Sequence, residues 1–188
     1  RRQALLAALE AGEAIKDFKK RHPNAEGKLR IGLEAGTVYV GHAGGGGRFV
    51  YSIVGDSANT ASRVEGLNKH VGTQILATGD VVEGFENLVT RYLGDFVFVG
   101  KTEGIPIHEV IALRENATEQ QLALCDRFAE AMHHYKAGNW QLAAECLEKV
   151  RADFPEDGPA RYFLDRCQRF IRNPEGGVDT GVIRMDAK

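Results

Sequence analysis

Tyr51-Ser52-Ile53-Val54-Gly55-Asp56-Ser57-Ala58-Asn59-Thr60-Ala61-Ser62-Arg63-Val64-Glu65-Gly66 is the stretch whose reading decides the fold. Phe49 to Val54 carries the β-branched and aromatic content of a strand, Gly55 breaks it, and Asp56 or Ser57 is suited to cap a following helix. Apolar residues then recur at Ala58, Ala61, Val64 and Leu67, so the segment reads as strand, tight turn, helix. Asn59 and Arg63 are four residues apart and project from one helix face near its start, where unpaired backbone N–H groups already favour anions. An amide and a guanidinium at that spacing suit a ribose and a phosphate. The same spacing also occurs on ordinary solvated helix faces.

In register and without a gap, Tyr51, Ile53, Val54, Gly55, Asp56, Ser57, Asn59, Ala61, Arg63 and Glu65 match a longer pattern. The segment resembles class III nucleotidyl cyclases, whose corresponding stretch reads approximately Tyr-Thr-Val-Ile-Gly-Asp-Thr-Val-Asn-Leu-Ala-Ala-Arg-Leu-Glu. Gly32, Gly36, Gly41 and Arg48 also match the family, whereas Glu34 and Ala35 stand where it has His and Thr. The resemblance covers residues 1–113, and residues 118–188 more weakly.

Composition bounds the remaining classes. The chain has 188 residues, 43% hydrophobic and 27% charged, with a formal net charge of -2. That balance is ordinary for a globular domain and gives no electrostatic reason to expect nucleic acid. No run of about eighteen apolar residues is present to span a bilayer, and no signal peptide is visible. Cys125, Cys146 and Cys167 are odd in number and confined to the last third, which reads as reduced thiols packed between helices.

Along the chain, residues 1 to about 22 form an amphipathic helix that His22-Pro23-Asn24 stops. It begins inside its own apolar pattern without a cap, which points to a fragment. Leu29–Leu33 and Thr37–Gly41 read as a hairpin or bent strand pair around Glu34-Ala35-Gly36, and His42 to Arg48 as a flexible connection. The glycine run is not a phosphate loop, since it lacks the Lys-Ser/Thr and no helix follows it directly. Gln74–Thr78 is a strand and Gly79–Phe85 a helical turn. Val89–Leu93 and Phe96–Val99 read as strands around Gly94-Asp95, and Ile105–Leu113 as a final strand that Pro106 assigns to an edge. Strands mixed with helices in this order indicate an α+β fold with a mostly antiparallel sheet.

From Thr118 the pattern is helical. Phe128, Ala131, Tyr135, Gly138, Trp140, Ala143, Leu147, Val150 and Pro155 resemble one tetratricopeptide repeat, and a third helix follows at about Pro159 to Ile171. A single repeat cannot bury its faces alone and is expected to lean on the first domain or on a partner. The expected division is therefore 1–113, a ferredoxin-like class III nucleotidyl cyclase domain truncated at its N-terminus; 118–172, a small all-α appendage; and 173–188, a mobile polar tail.

The cyclase resemblance implies conversion of ATP, or less favourably GTP, to a 3′,5′-cyclic nucleotide and pyrophosphate, the work of a phosphorus-oxygen lyase in intracellular signalling. It assigns catalysis to Asn59, for the ribose, and Arg63, for the α-phosphate. It places Ser52 at the base-reading position, and Lys101 near the family's triphosphate lysine. It puts Mg2+ or Mn2+ on a pair of aspartates N-terminal to the first helix, and the site across a homodimer interface. This chain would then supply only the Asn/Arg half and be inactive alone. Its histidines are scattered, and the adjacent His133 and His134 face different ways, so no metal site is expected within it. The expected location is cytoplasmic, either free or as the cytoplasmic portion of a membrane-anchored sensor, with a protein partner on the helical tail. The competing expectation is a non-catalytic nucleotide-sensing or protein-interaction module derived from a cyclase domain.

Overall fold

The computed structural model describes residues 1–173 and 182–185. In chain order its elements are α1 (Arg2–Arg21), β1 (Ile31–Leu33), β2 (Tyr39–Gly45), β3 (Arg48–Val54), α2 (Asp56–Val71), β4 (Ile75–Thr78), α3 (Gly79–Val82), β5 (Leu88–Val97), β6 (Ile105–Leu113), α4 (Glu119–Lys136), α5 (Trp140–Asp153), α6 (Gly158–Arg172) and β7 (Val182–Arg184). The result is a mixed α+β architecture. A five-stranded sheet has the order β1-β4-β6-β5-β7, while β2 and β3 form a separate antiparallel ribbon.

The sheet is covered on both faces, which is why β4 is buried at every position. On one face α1 lays down Leu5 and Ala8 against Ile75, Ala77, Val81, Leu88 and Val110. The other face meets α2 through Val64, Leu67 and Val71, and meets the helices α4, α5 and α6 in the same continuous core, where Leu93, Phe96, Ile107, Phe128, Tyr135, Leu147 and Phe163 are fully buried or nearly so. Glycine is required where β1 crosses α2, because a Cβ on Gly32 would collide with the backbone nitrogen of Glu65 and the carbonyl of Ala61. Asn68 ties the same junction: its Nδ2 donates to the Ile31 carbonyl at 3.0 Å and its Oδ1 accepts from Thr73 Oγ1 at 2.8 Å.

Helices and sheet are joined at a buried charge cluster. Arg91 of β5 donates from Nε to Glu109 of β6 at 2.5 Å and from Nη2 to Asp157 at 2.6 Å, and it lies 4.8 Å from the Phe128 ring centroid. Asp157 also caps α6 by accepting from the Ala160 N–H at 2.8 Å. Burial alone would lower the Arg91 pKa, but attraction to Glu109 and Asp157 more than reverses this and holds the guanidinium charged. Burial pushes the Glu109 carboxyl up, against the opposing pull of Arg91.

Several expected elements are placed differently. β1 does not pair with β2; it runs parallel to β4, while β2 pairs with β3. The hairpin turn is Gly46-Gly47, between the paired residues Gly45 and Arg48, with φ of 62° and 84°. Positive φ at both central residues suits the right-handed twist of a two-residue turn, so the glycine run is part of a hairpin and not a loose connection. Val89 to Val99 does not make two strands around a turn at Gly94. β5 runs from Leu88 to Val97, with register shifts at Val89/Thr90 and Tyr92/Gly94.

β6 is a central strand despite Pro106. Its pairing with β4 begins one residue later, at Ile107, so the missing proline N–H is not needed on that side. Asp56 does not cap α2. Gly55 is the N-cap residue, and no side chain caps this end. Within the expected mobile tail, Val182–Arg184 forms β7 beside β5, with Ile183 fully buried; residues 174–181 and 186–188 lie outside the described residues.

Candidate functional site

Asp56, Asn59 and Arg63 follow one another at helical spacings of three and four, so they form a single stripe on α2. The opposite stripe, Thr60, Val64, Leu67 and Val71, is buried and sets the rotation of the helix. The loop joining β5 to β6 runs beside the polar stripe and is pinned to it twice. Arg63 Nη1 donates to the Val99 carbonyl at 2.5 Å. Lys101 forms an ion pair with Asp56. The loop reaches the helix because Phe98 is buried in the main core and the Lys101 N–H donates to the Phe98 carbonyl at 2.9 Å.

Asn59 is exposed and lies on the stripe between these two pins. Arg63 spends one N–H on Val99, and a guanidinium has five, so the rest of its fork is available to an anion. A carbonyl that holds the guanidinium in place reduces the entropy lost when such an anion binds. The structure thus brings Asn59, Arg63 and Lys101 to one corner. Ser52 stands apart on β3, half-buried and opposite Gly41 in the ribbon register.

Sequence reading had no means of finding two participants. Val99 acts through its backbone carbonyl, which has no signature of residue type. Asp56 engages Lys101 across 45 residues, a pairing that only the chain fold creates.

The carboxylates at this corner do not fit a divalent-metal site. Asp56 is engaged by Lys101, and among the described residues the one group of ligating side chains that converges, Glu130, His134 and Cys146, is on α4 and α5. No step through a metal ion follows from the residues at this corner.

A family model for the adenylate and guanylate cyclase catalytic domain matches residues 2–103, and the chain belongs to that family. It is 37% identical over 109 residues to Adenylate cyclase 1 of Rhizobium meliloti (strain 1021), covering 57% of this chain and 16% of that protein. It is 37% identical over 120 residues to the adenylate cyclase of Anabaena cylindrica, covering 58% and 24%. A terminal-differentiation specific adenylate cyclase of Dictyostelium discoideum is 27% identical over 150 residues, covering 77% and 7%. The chain therefore spans less than a quarter of the length of these relatives. A crystal structure of an adenylyl cyclase from P. aeruginosa is similar over 60% of this chain and 58% of that one, at 21% identity and a TM-score of 0.46. Among the described residues no helix is long and apolar enough to cross a membrane.

Proposed function

We propose that the chain is the Asn/Arg half of a nucleotidyl cyclase site, acting on ATP in preference to GTP. The single observation that carries this is the Asn59–Arg63 stripe with its guanidinium held by the Val99 carbonyl, in a chain of the cyclase family. In the reaction the ribose 3′-oxygen bonds to the α-phosphorus, the bond to the bridging oxygen of pyrophosphate breaks, and the hydroxyl proton is released. Asn59 positions the ribose, so that the attack is in line. The free N–H groups of Arg63 meet charge that grows on the α-phosphate oxygens. Ser52 reads the base through a hydroxyl that accepts from the adenine amino group and is also able to donate to a guanine carbonyl. Lys101 exchanges Asp56 for the outer phosphates.

Mg2+ or Mn2+ belongs to this reading through aspartates outside residues 1–188. The partner subunit is a second copy, supported by the apolar exposure of the β2–β3 ribbon. In this reading residues 1–113 are the cyclase portion and residues 118–172 a tetratricopeptide-like helical region. The latter offers exposed Leu142 and Ile171 to a partner protein. A cytoplasmic setting accords with three free cysteines. The alternative reading, a non-catalytic module, draws on Glu34, Ala35 and the capture of Lys101 by Asp56.

The test is cyclic nucleotide formation from ATP and from GTP, with Mg2+ or Mn2+, by the full-length protein and its Arg63→Ala variant. Loss of a contact made mainly in the transition state is expected to lower kcat by about 10²- to 10³-fold with KM little changed. Equal turnover in the variant would remove Arg63 from the mechanism. No product from the folded, dimeric wild type would favour the non-catalytic module.

A further inference from the structure

Away from the cyclase corner, α4 and α5 bring together three side chains of different ligating chemistry. Glu130 and His134 are four residues apart and stack on one face of α4. Cys146 faces them from α5, and one ligand atom from each residue lies within 4.8 Å of the other two. Among the described residues Nδ1 of His134 is buried with no hydrogen-bond partner, a condition that costs free energy unless something meets it. Glu130 is exposed, and His134 and Cys146 are half-buried, so the cluster opens to solvent on one side.

We propose that Glu130, His134 and Cys146 form a three-ligand Zn2+ site that clips α4 to α5, with water completing the coordination. A thiolate, an imidazole and a carboxylate match the borderline-soft character of zinc, and do not match the all-oxygen preference of Mg2+. Bond lengths of about 2.0 to 2.3 Å place tetrahedral ligand atoms roughly 3.5 Å apart, so atoms that lie within 4.8 Å of one another need only small side-chain adjustments to close on one ion. The exposed Glu130 side chain has the rotamer freedom to contribute to that adjustment. His133 is not part of the set, since adjacent helical residues diverge. Cys167 is fully buried in the main core, and Cys125 lies about two and a half turns before Glu130's partner histidine on α4.

The experiment is a Co2+ titration of the metal-free full-length protein, followed by displacement with Zn2+. Cobalt bound to a thiolate absorbs in the near ultraviolet, whereas cobalt on carboxylates alone, as at a cyclase catalytic centre, does not. A thiolate band that saturates at one equivalent and is bleached by Zn2+ is expected. Cys146→Ser should abolish it, Cys125→Ser should leave it intact, and His134→Ala and Glu130→Gln should each weaken binding on the order of 10- to 100-fold. Circular dichroism checks that each variant is folded, and both Cys146 and Glu130 are accessible enough for isosteric replacement. Absence of the band, or a band that survives Cys146→Ser, overturns the proposal whatever the cyclase assay shows.

Discussion

The β2–β3 ribbon and the five-stranded sheet are made from the same residue types, yet they end in opposite environments. In the sheet, Leu76, Leu93 and Ile107 are wholly buried, because α1 covers one face and α2 with α4, α5 and α6 covers the other. In the ribbon, Tyr39 is 77% exposed, Tyr51 68% and Phe49 66%, with Val40, Val50, Ile53 and Val54 also exposed, so both faces are apolar and uncovered. An uncovered apolar surface of this kind marks a place where another surface belongs. An apolar strand pattern therefore reports that burial is needed, without reporting whether the covering surface lies in the same chain.

The largest effect that would sharpen this contrast is expected where sheet and helices meet. Arg91→Met leaves Glu109 and Asp157 facing each other without their shared cation. It should cost about 3 to 5 kcal/mol, since it uncovers buried charge that was paired. An unfolding free energy lowered by that amount, read from a lower urea midpoint at an unchanged slope, is the expected reading. A midpoint that does not move would mean that the helices contribute little to holding the sheet.

A smaller effect is expected from pH, again confined to the sheet. Burial holds the His108 imidazole of β6 below its usual value, with Asp95 pulling the other way, and among the described residues His108 Nδ1 is buried without a hydrogen-bond partner. With the folded-state pKa below the unfolded value of about 6.5, the unfolded chain binds more protons as pH falls. The contribution is thus fully present above about pH 6.5 and is lost progressively below it. Stability measured from pH 8 to pH 5 should show this slope, and His108→Gln should remove it; an unchanged slope in the variant would assign it to another group.

The smallest effect on the stability of a single chain is expected in the ribbon. Tyr51→Ser should change it by no more than about 0.5 kcal/mol, because an exposed side chain loses little on truncation. Its self-association, read by sedimentation at micromolar concentration, should weaken clearly. If the ribbon is not covered by a second copy, Tyr51→Ser will leave the sedimentation profile unchanged, and the contrast with the sheet then needs another partner.

What could be read directly from the residues was local. Helical geometry alone puts Asn59 one turn from Arg63, and the bounds of α1 and α6 follow, within a residue or so, from apolar periodicity with its stops. The strand ending at Val54 and the break at Gly55 were likewise legible, since composition and a single glycine decide them. Errors arose where more than one pairing satisfied the same local pattern. Gly36 looks like the hairpin turn and the glycine run before Arg48 like a flexible connection, and only the register of β2 with β3 puts the turn at Gly46-Gly47. Pro106 looks like an edge marker, and only the one-residue offset of β4 lets it sit in a central strand.

The sequence by itself determined where the helices lie, that a strand ends at Val54, and which polar side chains share a helix face, because backbone propensity and side-chain period act within a few residues. Tertiary structure alone decided that the Val99 carbonyl orients Arg63, that Asp56 holds Lys101, that Arg91 joins two strands to a helix, and that Cys146 meets Glu130 and His134. Each of these depends on which apolar faces are buried together, and that is settled by the packing of the whole core and not by any local run of residues.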